Sequence, residues 1–225
     1  MMPLGTLLDI THPYSPLTAW GYDAFIARAV ERLVADVLAE LEARLPHGAS
    51  VLDVGCGGGH ILLALLRRRP DLQVHGLDLS QDQVDRARRR VSCVSGVAKI
   101  VLGSATQLPY APERFDHVLS VASLKHWPNR LLGLQECRRV LRPKGELTVI
   151  EVDRGCTNRD ALSFIADWPA PWMTRPLALA MFRTWVAGPS IDLDDARALV
   201  AGLSDELCPV ARLPKTPMLV IRRRL

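Results

Sequence analysis

Apolar residues recur every four positions at Phe25, Ala29, Leu33, Val37, Leu41 and Leu45, which predicts one amphipathic helix over Tyr22 to Leu45. Pro46-His47-Gly48 stops it, and the period then changes. SVLDVG (50–55) is a short apolar run that reads as a buried strand, and an apolar helix follows from about His60 to Arg69, before Pro70. LQVHGLDL (72–79) predicts a second strand. Ser80 with Gln83 three residues on has the spacing of a capping box, opening a helix with Val84, Ala87 and Val91 on its inner face. Further strands are expected at Ala98 to Ala105, Arg114 to Ser123 and, after an RPKG turn, Glu146 to Asp153, with a helix from Pro128 to about Leu141 between the last two. Strands and helices alternating at this spacing predict an α/β fold, a doubly wound and mostly parallel sheet.

Beyond strand five the pattern changes. Residues 154–190 hold Trp168, Trp172 and Trp185 among several prolines and read as an inserted helical lid, while residues 1–45 read as a helical cap on the same single domain, 1–225. A helix over Ser190 to Leu203, with Asp192, Asp194 and Asp195 in its first turn, precedes two final strands expected at an antiparallel C-terminal edge.

Composition narrows the class. With 48% hydrophobic and 23% charged residues over 225 positions, the chain can bury one substantial core. The run ILLALL (61–66) is far shorter than the roughly 20 apolar residues of a membrane span. The first residues lack the marks of a secretion signal, so a cytoplasmic location without membrane contact is the expectation. Five dispersed cysteines with no CxxC pair suggest neither a disulfide framework nor a metal site. The net charge of +4 comes from short arginine groups that suit solvated helix faces better than nucleic acid.

The informative stretch is VLDVGCGGGH (51–60). A glycine-rich turn between a strand and a helix lets a ligand approach the backbone, beside unpaired N–H donors at the helix start. Asp78 ends strand two 23 positions after Gly55, close to the spacing at which a carboxylate holds ribose hydroxyls, so a nucleoside ligand is implied. A dinucleotide fingerprint needs a small residue where His60 stands, which weakens that alternative.

The order Asp53, Gly55, Gly57, Gly59, followed by HGLDLS (75–80), GSATQLPYAPERFD (103–116) and LRPKGELTVIE (141–151), resembles the class I S-adenosylmethionine-dependent methyltransferases, in their small-molecule, type 11-like branch. The resemblance covers residues 45–153 and implies a Rossmann-like fold with S-adenosylmethionine as cofactor. It implies cofactor binding by Asp53, Gly55, Gly57 and Gly59, by Asp78 and Leu79 at the ribose, by Ser104 and Ala105 at the adenine, and by Ser120. Ser104 departs from the acidic residue common there and is a neutral substitute.

Methyl transfer by in-line displacement is chiefly a matter of positioning, with a base needed only for a protonated acceptor. His126, just after strand four, is the candidate base, against a structural hydrogen-bonding role. Lys125 is expected to face solvent or an acidic group of the acceptor. Tyr14, Trp20, Arg154 and Trp172 are the candidate substrate contacts around a small-molecule acceptor, expected in secondary metabolism, and the assembly is expected to be a monomer or homodimer. Alternatives are a noncatalytic S-adenosylmethionine-binding protein, an NAD(P)-dependent oxidoreductase, and a nucleic-acid methyltransferase. The last lacks its [DN]-P-P-[FY] pattern, since Ser120-Val121-Ala122-Ser123 stands there.

Overall fold

Apolar runs become the interior strands of a seven-stranded sheet, in a computed structural model that describes residues 27–166, 168, 172–203 and 208–224. The strands are β1 (Ser50–Val54), β2 (Gln73–Asp78), β3 (Val97–Leu102), β4 (Phe115–Val121), β5 (Leu141–Val152), β6 (Val210–Arg212) and β7 (Met218–Arg224), in the order 3-2-1-4-5-7-6. The first five are parallel, while β7 runs antiparallel between β5 and β6. The two final strands thus form the antiparallel C-terminal edge expected of them, with β6 outermost.

The helices are α1 (Ala27–Leu33), α2 (Ala35–Arg44), α3 (His60–Arg68), α4 (Gln81–Val91), α5 (Arg130–Val140), α6 (Asn158–Ile165), α7 (Arg175–Met181) and α8 (Leu193–Ala201). Val51, Val74, Leu119 and Ile150 point to one face of the sheet, where Leu38, Leu62 and Val84 of α2, α3 and α4 cover them. Leu52, Leu77, Val118 and Val149 point to the other face and meet Leu134 of α5 and Ala196 of α8. This alternation is the period of two along each strand, buried on both faces.

Several boundaries differ from the sequence pattern for identifiable reasons. The single helix expected to end at Leu45 is interrupted at Val34, yet the bonds Val34 N–H to Val30 O and Leu38 N–H to Val34 O carry the helical ladder across the break. Ser80 occupies the N-cap of α4 without a side-chain cap, and its N–H, which a capping box would offer to Gln83, is bonded to Asp78 Oδ1 instead. Asn129, not Pro128, starts α5, its side chain accepting from Leu132 N–H. RPKG is absorbed into β5 as a bulge, with Lys144 at φ +67° and the register jumping from Phe115↔Leu141 to His117↔Glu146.

The segment after β5, expected as a lid, is largely helical among its described residues. Phe164 and Phe182 are fully buried with ring centroids 5.0 Å apart, and Trp168 lies edge-on to Phe164 at 6.5 Å. They belong to the same apolar cluster as Val30 of α1 and Val34 at the start of α2, so the segment packs beside the first helices.

One buried ion pair ties these parts together. In the 3-10 turn Leu124–His126 that follows β4, Lys125 turns inward rather than to solvent, its side chain 7% exposed, against fully buried Glu151 of β5. Glu151 Oε1 accepts from Lys125 Nζ at 3.4 Å and from Val152 N–H at 2.8 Å, while Oε2 accepts from Lys125 N–H at 3.1 Å. Lys125 Nζ also donates to Val186 O of the lid. Removing one partner leaves a buried uncompensated charge, so Lys125→Met is expected to cost about 3–5 kcal/mol in denaturant unfolding. The double variant Lys125→Met/Glu151→Gln is expected to recover part of that loss; equal losses would show that the pair carries no coupled charge.

Candidate functional site

The strand order reverses between β1 and β4, which opens a crevice outside the carboxyl ends of these neighbours. Asp53 on β1, Gly55, Cys56 and Gly58 of the glycine loop, His60 of α3, Val121 of β4 and Val30 of α1 line a small pocket there. The loop is fixed from below by Gly55 and Cys56 N–H bonds to Leu77 O of β2, and from α4 by Arg90, which donates to Gly58 O.

The glycines of the loop have distinct reasons for being bare. Gly55, at φ +75°, would place a Cβ 1.7 Å from Ser123 Oγ. Gly59, at φ +79°, would place one 2.9 Å from Ala87 Cβ of α4. Their bareness serves the packing of β4 and α4 against the loop. Gly57, at φ +50°, has nothing within 4 Å of its Cβ position, so it is the glycine whose bareness leaves open space above the loop.

Two acids stand at this loop in different states. Asp53 is 1% exposed, and its Oδ1 is buried without a hydrogen-bond partner. Burial, and then the charge of Asp78, push its carboxyl up to about 8. Asp78, at the end of β2, accepts from Gly57 N–H at 2.8 Å through Oδ2 and from Ser80 N–H at 2.9 Å through Oδ1. Burial raises its carboxyl while these N–H donors oppose the rise, so Asp78 is the better stabilised anion. Leu79 beside it is 46% exposed. Cys56 Sγ is buried, its thiol pushed far up by burial and by the two acids, which fits a packed wall and not a nucleophile.

The other expected residues divide. Ser104 and Ala105 follow β3, with Ser104 Oγ bonded to Thr106 Oγ1 at 2.8 Å and Ala105 buried. Ser120 is fully buried in the sheet with an unpartnered Oγ, while Val121 reaches the pocket in its place. His126 is exposed on the outer end of its turn and is absent from the pocket lining. The surrounding protein, then Lys125 and Arg130, hold its imidazole below the ordinary value against a pull from Glu151, and water at the exposed side moderates the effect. Arg154 is engaged by Asp192 at 2.6 Å and Asp195 at 2.7 Å, which clamps β5 to the capping box of α8. Tyr14, Trp20 and the Trp172 side chain lie outside the described residues. No cluster of metal-ligating side chains occurs among the described residues.

Sequence reasoning missed Val30, Ala122 and Ser123. Ala122 adopts φ +54° at the end of β4 while its N–H bonds to Ile150 O, a left-handed turn that sends Ser123 under the glycine loop to meet Trp127 Nε1. No glycine marks that turn. Val30 comes from a helix whose register gave no indication of which residue would meet the loop.

A family model described as a methyltransferase domain matches residues 52–149. The methyltransferase GfsG of Streptomyces halstedii is 35% identical over 129 residues, 56% of this chain and 45% of its own. An O-methyltransferase of Pyrenophora dematioidea is 33% identical over 147 residues, 64% of this chain and 53% of its own. This chain thus spans about half the length of these relatives. Among solved structures, an S-adenosylmethionine-dependent methyltransferase from Aquifex aeolicus superposes with a TM-score of 0.62 at 16% identity, over 96% of both chains. The plantazolicin methyltransferase BpumL, solved with S-adenosylhomocysteine, superposes with a TM-score of 0.69 at 14% identity, over 93% of this chain and 90% of its own. These likenesses establish a Rossmann-like fold shared with S-adenosylmethionine-dependent methyltransferases, and the residues that match the methyltransferase-domain model include the glycine loop, β2 and most of β5.

Proposed function

We propose that this protein transfers a methyl group from S-adenosylmethionine to a small-molecule acceptor. The observation that carries the reading is Asp53 Oδ1, a fully buried carboxylate oxygen with no partner, set against the glycine loop at the strand switch point. An unsatisfied buried acceptor is costly and fits a cationic donor, and the amino-acid end of the cofactor carries an ammonium. Asp78, anchored through Gly57 and Ser80 N–H, offers carboxylate oxygens to ribose hydroxyls, and Ser104 and Ala105 follow as the adenine side of the same crevice. When bound, the cofactor supplies a methyl group on a positively charged sulfur. The chain's part is to hold both reactants in line and exclude water, which contributes on the order of 7–11 kcal/mol in favourable cases. The O-methyltransferase among the relatives supports an oxygen acceptor, and the ion pairs that Arg68, Arg69, Arg88 and Arg222 make with carboxylates of the chain favour a small molecule over nucleic acid.

Binding is tested by thermal unfolding with S-adenosylhomocysteine and with NADH. The former is expected to raise the midpoint and the latter not, since a ligand specific to the folded state adds stability; a rise with NADH alone contradicts the reading. Gly57→Ala is expected to fold with a loss of about 1–2 kcal/mol for its left-handed backbone and to lose the ligand-dependent shift. Gly55→Ala, with its Cβ driven into Ser123, is expected to lose roughly 3 kcal/mol or more.

For a hydroxyl acceptor we propose His126 as base, supported by its place after β4 and by a depressed basicity that leaves it neutral at neutral pH. Activity is then retained at neutral pH and lost as pH falls through a value below 6.5. His126→Ala is expected to lower kcat by roughly 100-fold and to abolish that acid limb. An unaltered rate and profile would instead assign His126 to the architecture of the turn.

A further inference from the structure

The outer face of the lid is unlike the rest of the surface. Met173 is 72% exposed, Leu177 63% and Trp185 63%. Met173 lies in the 3-10 turn Trp172–Thr174, Leu177 on α7, and Trp185 in the π-helical turn Phe182–Ala187 that continues α7, with half-buried Met181 between the last two. The neighbouring stripe, Ala178, Phe182 and Val186, is the buried one that fastens the lid to the protein. The exposed stripe is thus additional apolar surface that packing does not require. None of its residues lines the pocket at the glycine loop.

Between Asp167 and Asp192 the segment itself carries charge of one sign. From Trp168 to Ile191 the sequence contains Arg175 and Arg183 and no aspartate or glutamate, and three of the five tryptophans of the chain fall there. Arg175 is exposed, and neither it nor Arg183 is paired with a carboxylate among the described residues. The Arg183 guanidinium, two positions before Trp185 in the chain, donates to the neutral acceptors Cys156 O and Asn158 Oδ1, which holds its positive charge at a fixed place. Protruding Leu, Met and Trp side chains among arginines without acids suit an interface of apolar chains beneath anionic headgroups, where the aromatic anchors at the headgroup level. No described helix is long and apolar enough to span a membrane, but that has no bearing on a helix that lies in the surface.

We propose that the outer face of the lid, Met173, Leu177 and Trp185 with Arg175 and Arg183, docks this protein onto an anionic lipid surface. The apolar stripe enters the headgroup boundary, and the arginines meet lipid phosphates. This surface is separate from the cofactor crevice and stands or falls independently of the methyl-transfer reading.

The test is sedimentation of the full-length protein with vesicles of phosphatidylcholine alone and of phosphatidylcholine mixed with phosphatidylglycerol. The protein is expected to pellet with the mixed vesicles, less with the neutral ones, and progressively less as salt rises. Leu177→Asp/Trp185→Asp is expected to weaken the partition by roughly tenfold or more, with an unchanged thermal midpoint and an unchanged shift with S-adenosylhomocysteine. Should that variant fail to fold, Met173→Asp/Trp185→Ser keeps the comparison. Equal partition of wild type and variant, or no pelleting with either vesicle, overturns the proposal. A dimer in gel filtration that the substitutions convert to monomer also overturns it, and assigns the stripe to a second copy of the chain.

Discussion

Asp53 places a carboxyl group inside the protein at the end of the central strand β1, one oxygen unpaired, with a second acid nearby. In the free protein the group remains neutral over a wide pH range, because burial raises its pKa to about 8. The sign is unfavourable to folding. Between roughly pH 4 and 8 the unfolded chain ionises this side chain while the folded one does not, so stability falls as pH rises through that window. A fold that retains such a residue uses it for something other than its own stability, and a cationic ligand fits that use.

The surroundings of Asp53 are arranged so that a ligand can reach it. Hydrogen bonds to Leu77 O and to Asp78 hold the loop above it, and Ser123 and Ala87 fill the places a side chain would take at Gly55 and Gly59. That leaves Gly57 as the open position. The rigid side of the crevice is continued by Lys125 and Glu151, which join the ends of β4 and β5 to the lid through buried charges. The lid in turn packs on α1, whose Val30 closes the pocket. One contiguous set of contacts thus connects cofactor crevice, strand ends and lid.

Much of the fold was legible in the sequence. Strands buried on both faces read as continuous apolar runs, and β1, β2 and β4 lie within a residue or two of where those runs suggested. The glycine spacing was legible as a bare turn between β1 and α3, because positive φ at Gly55, Gly57 and Gly59 is a matter of local chain geometry. Contacts between distant residues were illegible. Glu151 lies 26 positions from Lys125, and Asp192 lies 38 from Arg154, so residues that looked available to a substrate are instead occupied by the protein. Ser120 was misplaced by one residue of strand alternation, which turns a side chain to the opposite face of the sheet. The cap at Ser80 failed for a similar reason, since Asp78 takes the N–H that the capping spacing assumed was free for Gln83.

The central claim is that Asp53 receives a cation from the bound cofactor. Calorimetric titration with S-adenosylhomocysteine at neutral pH, in buffers of different ionisation enthalpy, measures it directly. The account predicts release of about one proton per ligand, because binding ionises a carboxyl that is protonated below about 8 in the free protein, with the release vanishing at higher pH and in Asp53→Asn. Tight binding with no proton release from the unaltered protein at neutral pH contradicts it.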